Sequence, residues 1–301
     1  MAAATRSKAP SRQKILSQLT TALSKRYGSL AVDPVERPIF QTLVYAICLE
    51  NSTFAEAESS YERLSVEFHD YNEARVSSIS ELERVFRKTP MPEWKALRLR
   101  NLLTHVFESF YVYDFDSLRT KSSEQASRLL GRVPHLSHFA RNFVLQRCLE
   151  VHLIPFDQKM RDAVAWLGLG TRGQTPQRAG AALRTVIRKA DTDSFCGLIR
   201  CFATDAKVVH ELDPEQTEPP KGGYELESVF ERLNELFSRA DTRKSAPKKK
   251  PAPKKKPAPK KKPAPKKKPA PKKKSAPKKK SAPKKKSAPK KKSAPKKKSS
   301  R

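Results

Sequence analysis

Asp157 is the carboxylate best placed for chemistry: it follows Ile154-Pro155-Phe156 and heads an apolar-periodic run from Gln158 to Leu167. An aspartate there caps the helix by accepting its first unpartnered N–H groups, which stabilises by about 1 kcal/mol. The four cysteines offer less. Cys48 and Cys148 fall inside apolar helical patterns, where small thiols pack. Cys196 and Cys201 make a Cys-x4-Cys pair without the second pair or the histidines that a zinc site needs. His69, His105, His152 and His210 are scattered without ligand spacing. Trp94 follows Pro90-Met91-Pro92-Glu93 and is expected on a loop, where its indole either stacks on nucleobases or packs against a neighbouring helix.

The densest chemistry in the chain is electrostatic. From Ser245 to Lys298 one hexapeptide runs nine times without a break, once as SAPKKK, four times as PAPKKK and four more times as SAPKKK. Lys248, Lys249 and Lys250 close the first repeat. The 27 lysines of this tail and Arg301 carry +28 of the formal +32, leaving residues 1–244 with +4. Nothing apolar in a repeat offsets the entropy of ordering, and like charges extend the chain, so 241–301 is expected to be a disordered tail. Such a polycation adheres to a polyanion, and nucleic acid is the large polyanion of a cell. RNA and an anionic membrane are the alternatives, the membrane being the weakest because no apolar anchor accompanies the charge.

The elements that must position Asp157 are helices. Ile15, Leu16, Leu19 and Leu23 mark an amphipathic helix ending near Gly28, and Ile39 to Leu49 is apolar nearly all round, as a central buried helix is. Thr53 and Glu56 have the spacing of a capping box. Further helical patterns cover Ser80 to Phe86, Ala96 to Phe110, Ser122 to Leu130, Leu136 to Leu149, Thr175 to Lys189, Asp193 to Phe202 and Tyr224 to Arg239. Strand-type alternation is nearly absent, so the fold class is all-α. Trp166, on the apolar face of the Asp157 helix, belongs to the core. Residues 1–10 are expected to be a disordered basic arm. No secretory segment, lipidation signal or apolar run of bilayer length is visible, which points to a soluble intracellular protein.

The segment from Leu130 to Leu169, LGRVPHLSHFARNFVLQRCLEVHLIPFDQKMRDAVAWLGL, sets an apolar residue and Pro134 before a tight turn. An apolar helix, a crossing loop, Asp157, a second helix and Leu-Gly-Leu follow. In this order it resembles the helix-hairpin-helix and Gly/Pro-Asp core of endonuclease III-like DNA glycosylases. Leu43 to Phe54, LVYAICLENSTF, is similar to the family's buried helix and its DNA-contacting turn. Trp94 to Leu102 resembles its Gly-aromatic-x-x-Lys-Ala segment. The resemblance covers roughly residues 13–210. It implies a two-lobed fold, 11–240, with lobes at about 33–156 and at 11–32 plus 157–240.

The resemblance assigns Asp157 the family's catalytic place, stabilising positive charge on the sugar or orienting a water. The nucleophilic lysine of bifunctional members stands eighteen residues earlier, and there this chain has Phe139. A phenyl ring forms no Schiff base, so strand cleavage by that route is not expected and a monofunctional hydrolysis of the base–sugar bond is. The hairpin's two glycine positions hold His135 and Ser137; these, with His138 and Arg141, are the candidate phosphate contacts. Asn51 and Trp94 fall at the positions of the residues that fill the gap left by a flipped base. No cysteine follows Cys201, so no iron–sulfur cluster, and no other cofactor or metal, is expected.

The sequence therefore predicts a monomeric base-excision-repair protein on double-stranded DNA, held by the hairpin and the lysine tail. It would be cytoplasmic and nucleoid-associated, or nuclear in a eukaryote. A non-enzymatic DNA-binding or nucleoid-organising protein that keeps the fold is the rival. The lost lysine, the lost hairpin glycines and a tail like those of linker histones favour it. On the sequence alone, Asp157→Asn keeps a competent cap and leaves stability nearly unchanged.

Overall fold

The computed structural model describes residues 12–31, 35–217, 220 and 222–242. The arm 1–10 and the repeat tail, including Lys248, Lys249 and Lys250, lie outside the described residues. Among the described residues every regular element is a helix. In chain order the α-helices are α1 (Arg12–Tyr27), α2 (Ile39–Leu49), α3 (Phe54–Glu67), α4 (Tyr71–Val76), α5 (Ile79–Phe86), α6 (Pro92–Phe110) and α7 (Ser123–Leu130). There follow α8 (His138–Leu149), α9 (Gln158–Trp166), α10 (Pro176–Arg184), α11 (Thr192–Thr204), α12 (Val209–Leu212) and α13 (Val229–Thr242).

Helix α2 is buried along its whole length except at Gln41, because its residues are apolar on every face. It packs against α3, α6 and α8, while α4 and α5 pack on α6. Three capping boxes start helices here. Thr53 Oγ1 accepts from Glu56 N at 3.1 Å while Glu56 Oε2 accepts from Thr53 N at 2.9 Å. Ser78 with Glu81 and Ser122 with Gln125 repeat the device for α5 and α7. Trp94 sits in the first turn of α6, not on a loop: Pro92 opens that helix, where a missing N–H costs nothing. α4 and α12 were too short to show a helical period, and α10 stops at Arg184, five residues before the expected end.

Helix α11 organises the rest, packing against α1, α9 and α12, with α10 against α9 and α8. Two glycines permit close approaches. A Cβ on Gly197 would lie 1.8 Å from Ala31 O, and one on Gly180 would lie 2.3 Å from Ile154 O, three residues before Asp157. α13 is held by aromatic contacts, with the Phe237 ring 6.2 Å from Tyr27 and 6.3 Å from Phe202. Trp166 is buried 5.8 Å from both Phe202 and Tyr224. Cys48 is buried and the other three cysteines are half-buried, all as free thiols. Among the described residues no helix is long and apolar enough to cross a membrane, and no group of three or more His, Cys, Asp or Glu could hold a metal ion.

Candidate functional site

Asp157 is the N-cap of α9, and its side chain is 1% exposed. Oδ1 accepts from Met160 N at 2.9 Å. Oδ2 accepts from Asn51 N at 2.9 Å and forms an ion pair with Arg200 Nη1, also at 2.9 Å. Arg200 reaches in from α11 with 3% of its side chain exposed, and the same Nη1 donates to Leu49 O at 2.8 Å and Ser52 O at 3.1 Å. Its guanidinium lies 4.8 Å from the Phe139 ring centroid. Asp157 and Phe139 are thus bridged by one buried cation.

Asn51 is turned into this network. Its φ of 57° is left-handed, which asparagine tolerates better than most residues, and that turn aims its N–H at Asp157. Its Oδ1 accepts from Lys159 N at 3.2 Å, so Asn51 and Asp157 together cap α9. Asn51 is 8% exposed, and its Oδ1 ties the end of α2 to α9.

Two more buried charges complete the lock. Lys95 of α6 is 2% exposed; its Nζ donates to Cys48 O at 2.8 Å and Ser52 Oγ at 2.7 Å, and burial lowers its pKa to about 8. Glu50 pairs with Arg98, and burial holds its carboxyl above the usual range while Arg98 and then Ser137 pull it down. Lys95 and Arg200 both take carbonyls at the C-terminal end of α2, where the helix dipole is negative, and Asp157 sits at the positive end of α9. The sequence reading missed Lys95 and Arg200. A signal was present: Lys95 falls on the apolar stripe of Leu99, Leu102 and Val106, and Arg200 interrupts the run Leu198-Ile199 and Phe202-Ala203.

The hairpin joins this network at one edge. His135 is exposed with φ 60°, so the first glycine position keeps a left-handed backbone although a side chain occupies it. Ser137 is the N-cap of α8, its Oγ accepting from Ala140 N at 3.1 Å. His138 is exposed and contacts Arg141, and burial followed by that cation lowers its pKa. Trp94, 49% exposed, and Met91, 48% exposed with φ 55°, form an apolar edge at the start of α6. Met91 Sδ is 3.9 Å from Asn51 Nδ2, which brings that edge beside the lock. Phe139 is buried, 5.7 Å from Phe143.

No protein-family model matches the chain, and no curated protein matches it. Solved structures do. A trapped endonuclease III–DNA covalent intermediate in an estranged-adenine complex is similar at 16% identity, covering 64% of this chain and 86% of that one, with a TM-score of 0.49. A non-covalent endonuclease III–DNA complex gives the same figures. A thermostable thymine-DNA glycosylase is similar at 13% identity, covering 63% of this chain and 86% of that one, with a TM-score of 0.46.

Proposed function

We propose that the chain is a DNA-binding protein on a helix-hairpin-helix frame in which Asp157 holds the frame together instead of excising bases. The observation that carries this is the Arg200–Asp157 pair, with 3% and 1% of the two side chains exposed. Hydrolysis of a base–sugar bond through Asp157, which the family resemblance implies, is favoured by a carboxylate whose negative charge faces the sugar. Here both oxygens accept hydrogen bonds and a guanidinium neutralises the charge. Breaking a buried pair of this kind costs about 3–5 kcal/mol. Phe139 removes the covalent route as well.

The DNA contacts are assigned to the exposed hairpin, with the backbone around His135 and Ser137 and the side chains of His138 and Arg141 toward phosphate, and to Trp94 and Met91 for stacking. The lysine repeats supply the sequence-independent share of affinity. The test is a titration of labelled duplex at several salt concentrations, with the intact chain and with one ending at residue 244. Neutralising Z phosphates gives a slope near −0.9Z, so a third of the tail charges implies roughly −8 for the intact chain. The truncated chain should keep weak binding with a much flatter slope. Equal affinity and slope for the two would remove the tail from the interface, and no residual binding by the truncated chain would remove the hairpin.

A further inference from the structure

Helix α6 carries Trp94 at its start and a second exposed apolar surface at its end, about 24 Å away along the axis. The chain leaves the helix as Phe110-Tyr111-Val112, with Phe110 40%, Tyr111 77% and Val112 56% exposed. Val76 of α4, 67% exposed, extends this surface: the neighbouring Arg75 guanidinium lies 4.2 Å from the Phe107 ring centroid, and Phe107 is 6.0 Å from Tyr111. Tyr113 fixes the loop to α4, its hydroxyl 3.2 Å from Tyr71 O and 2.9 Å from Asn72 Oδ1. Tyr111 closes α6 at φ 58°, a left-handed conformation that glycine adopts without strain and tyrosine does not. Packing returns little for that strain, because the residue stays in solvent. A strained, exposed aromatic residue within an apolar surface is the mark of a contact site.

The charge around the surface selects what covers it. Residues 101–118 hold Glu108, Asp114 and Asp116 and no lysine or arginine, in a chain of formal charge +32. Asp116 is offset by Arg119 at 3.7 Å, whereas Glu108 lies one turn before Tyr111 and is exposed, as is Asp114. On the α4 side Asp70 and Glu73 are exposed. Burial raises the Tyr113 pKa, Arg75 opposes the rise and Asp70 adds to it, so both charges act at that phenol. An acidic rim of this kind repels nucleic acid and anionic lipid, and two copies meeting through this face would set carboxylates against carboxylates. It attracts cations that flank apolar side chains.

We propose that the surface at the end of α6 docks a basic amphipathic segment of another protein, one that sets apolar side chains among lysines or arginines. The assignment does not rest on the DNA-binding reading.

The probe is a labelled helical peptide of leucine and lysine with the leucines on one face, and its control is the same peptide with every leucine replaced by serine. Both carry the same charge, so the lysine tail repels them equally. Fluorescence anisotropy with the full chain should show the leucine peptide binding at least about tenfold tighter than the control. Tyr111→Gly with Val112→Ser should remove that preference, with a melting temperature at or above that of the parent because glycine relieves the backbone. Glu108→Gln with Asp114→Asn, which keeps an acceptor for Asp116 N, should weaken the leucine peptide about fivefold. Equal binding of the two peptides would overturn the proposal, as would a preference that survives either pair of substitutions. Sedimentation showing a dimer of the parent that Tyr111→Gly dissolves would give the face to a second copy and overturn it as well.

Discussion

The Asp157–Arg200 pair changes what a conservative substitution does. Asp157→Asn keeps an oxygen for Met160 N–H but leaves Arg200 buried beside an uncharged amide. The near-neutral effect expected from capping alone therefore gives way to a loss of about 3–5 kcal/mol, read by urea unfolding. Arg200→Met should cost a similar amount, and the double variant should cost less than the two losses added, a coupling of at least about 1 kcal/mol. Additive losses would show that the pair is no unit. Lys95 gives a second signature. Its folded pKa of about 8 lies below the unfolded value, so the unfolded state binds more protons between the two, and stability rises with pH through that window. The buried tyrosines and Cys48, whose values burial raises, push the other way, so the readout is the difference from Lys95→Met. Up to about 3 kcal/mol should be regained between pH 8 and 10.5 in the parent relative to that variant, and a flat difference would refute the buried cation.

Among elements, the start of α6 carries the exposed chemistry. Trp94 and Met91 are each about half exposed and contribute little to the core, so Trp94→Ala should change stability by under about 1 kcal/mol. Affinity for a duplex containing an abasic site should fall about tenfold if the indole stacks on the exposed bases. Unchanged affinity by fluorescence anisotropy would remove Trp94 from the interface. Helices with a long apolar period were legible in the sequence: α2, with apolar residues on every face, and α3, with its Thr53–Glu56 box, stand where the pattern put them. The short α4 and α12 were not, since a single turn or so shows no period. Asp157 was legible as a cap for the same local reason. Its pairing with Arg200, 43 residues away, was not, because a lone cation in an apolar helix names no partner. The contacts of Asn51 with α9 were not legible either, because sequence position does not specify burial.

At the scale of the molecule, the charge is concentrated in the sequence after residue 244. Residues 1–244 hold +4 while the repeats and Arg301 hold +28, so the proposed DNA binding assigns the salt dependence to the tail and the shape of the contact to the hairpin. The frame spends four buried charged side chains, Lys95, Arg200, Asp157 and Glu50, at the junction of α2, α6, α9 and α11. The central claim is that this junction is closed to chemistry. It is tested by incubating the intact protein, in excess, with duplexes carrying a broad panel of damaged and mismatched bases, then cleaving with alkali to reveal abasic sites. The account predicts binding to these duplexes with no abasic sites above the protein-free control. Abasic sites formed on any of them by the parent protein, and reduced at least about a hundredfold by Asp157→Asn with duplex binding retained, would contradict it.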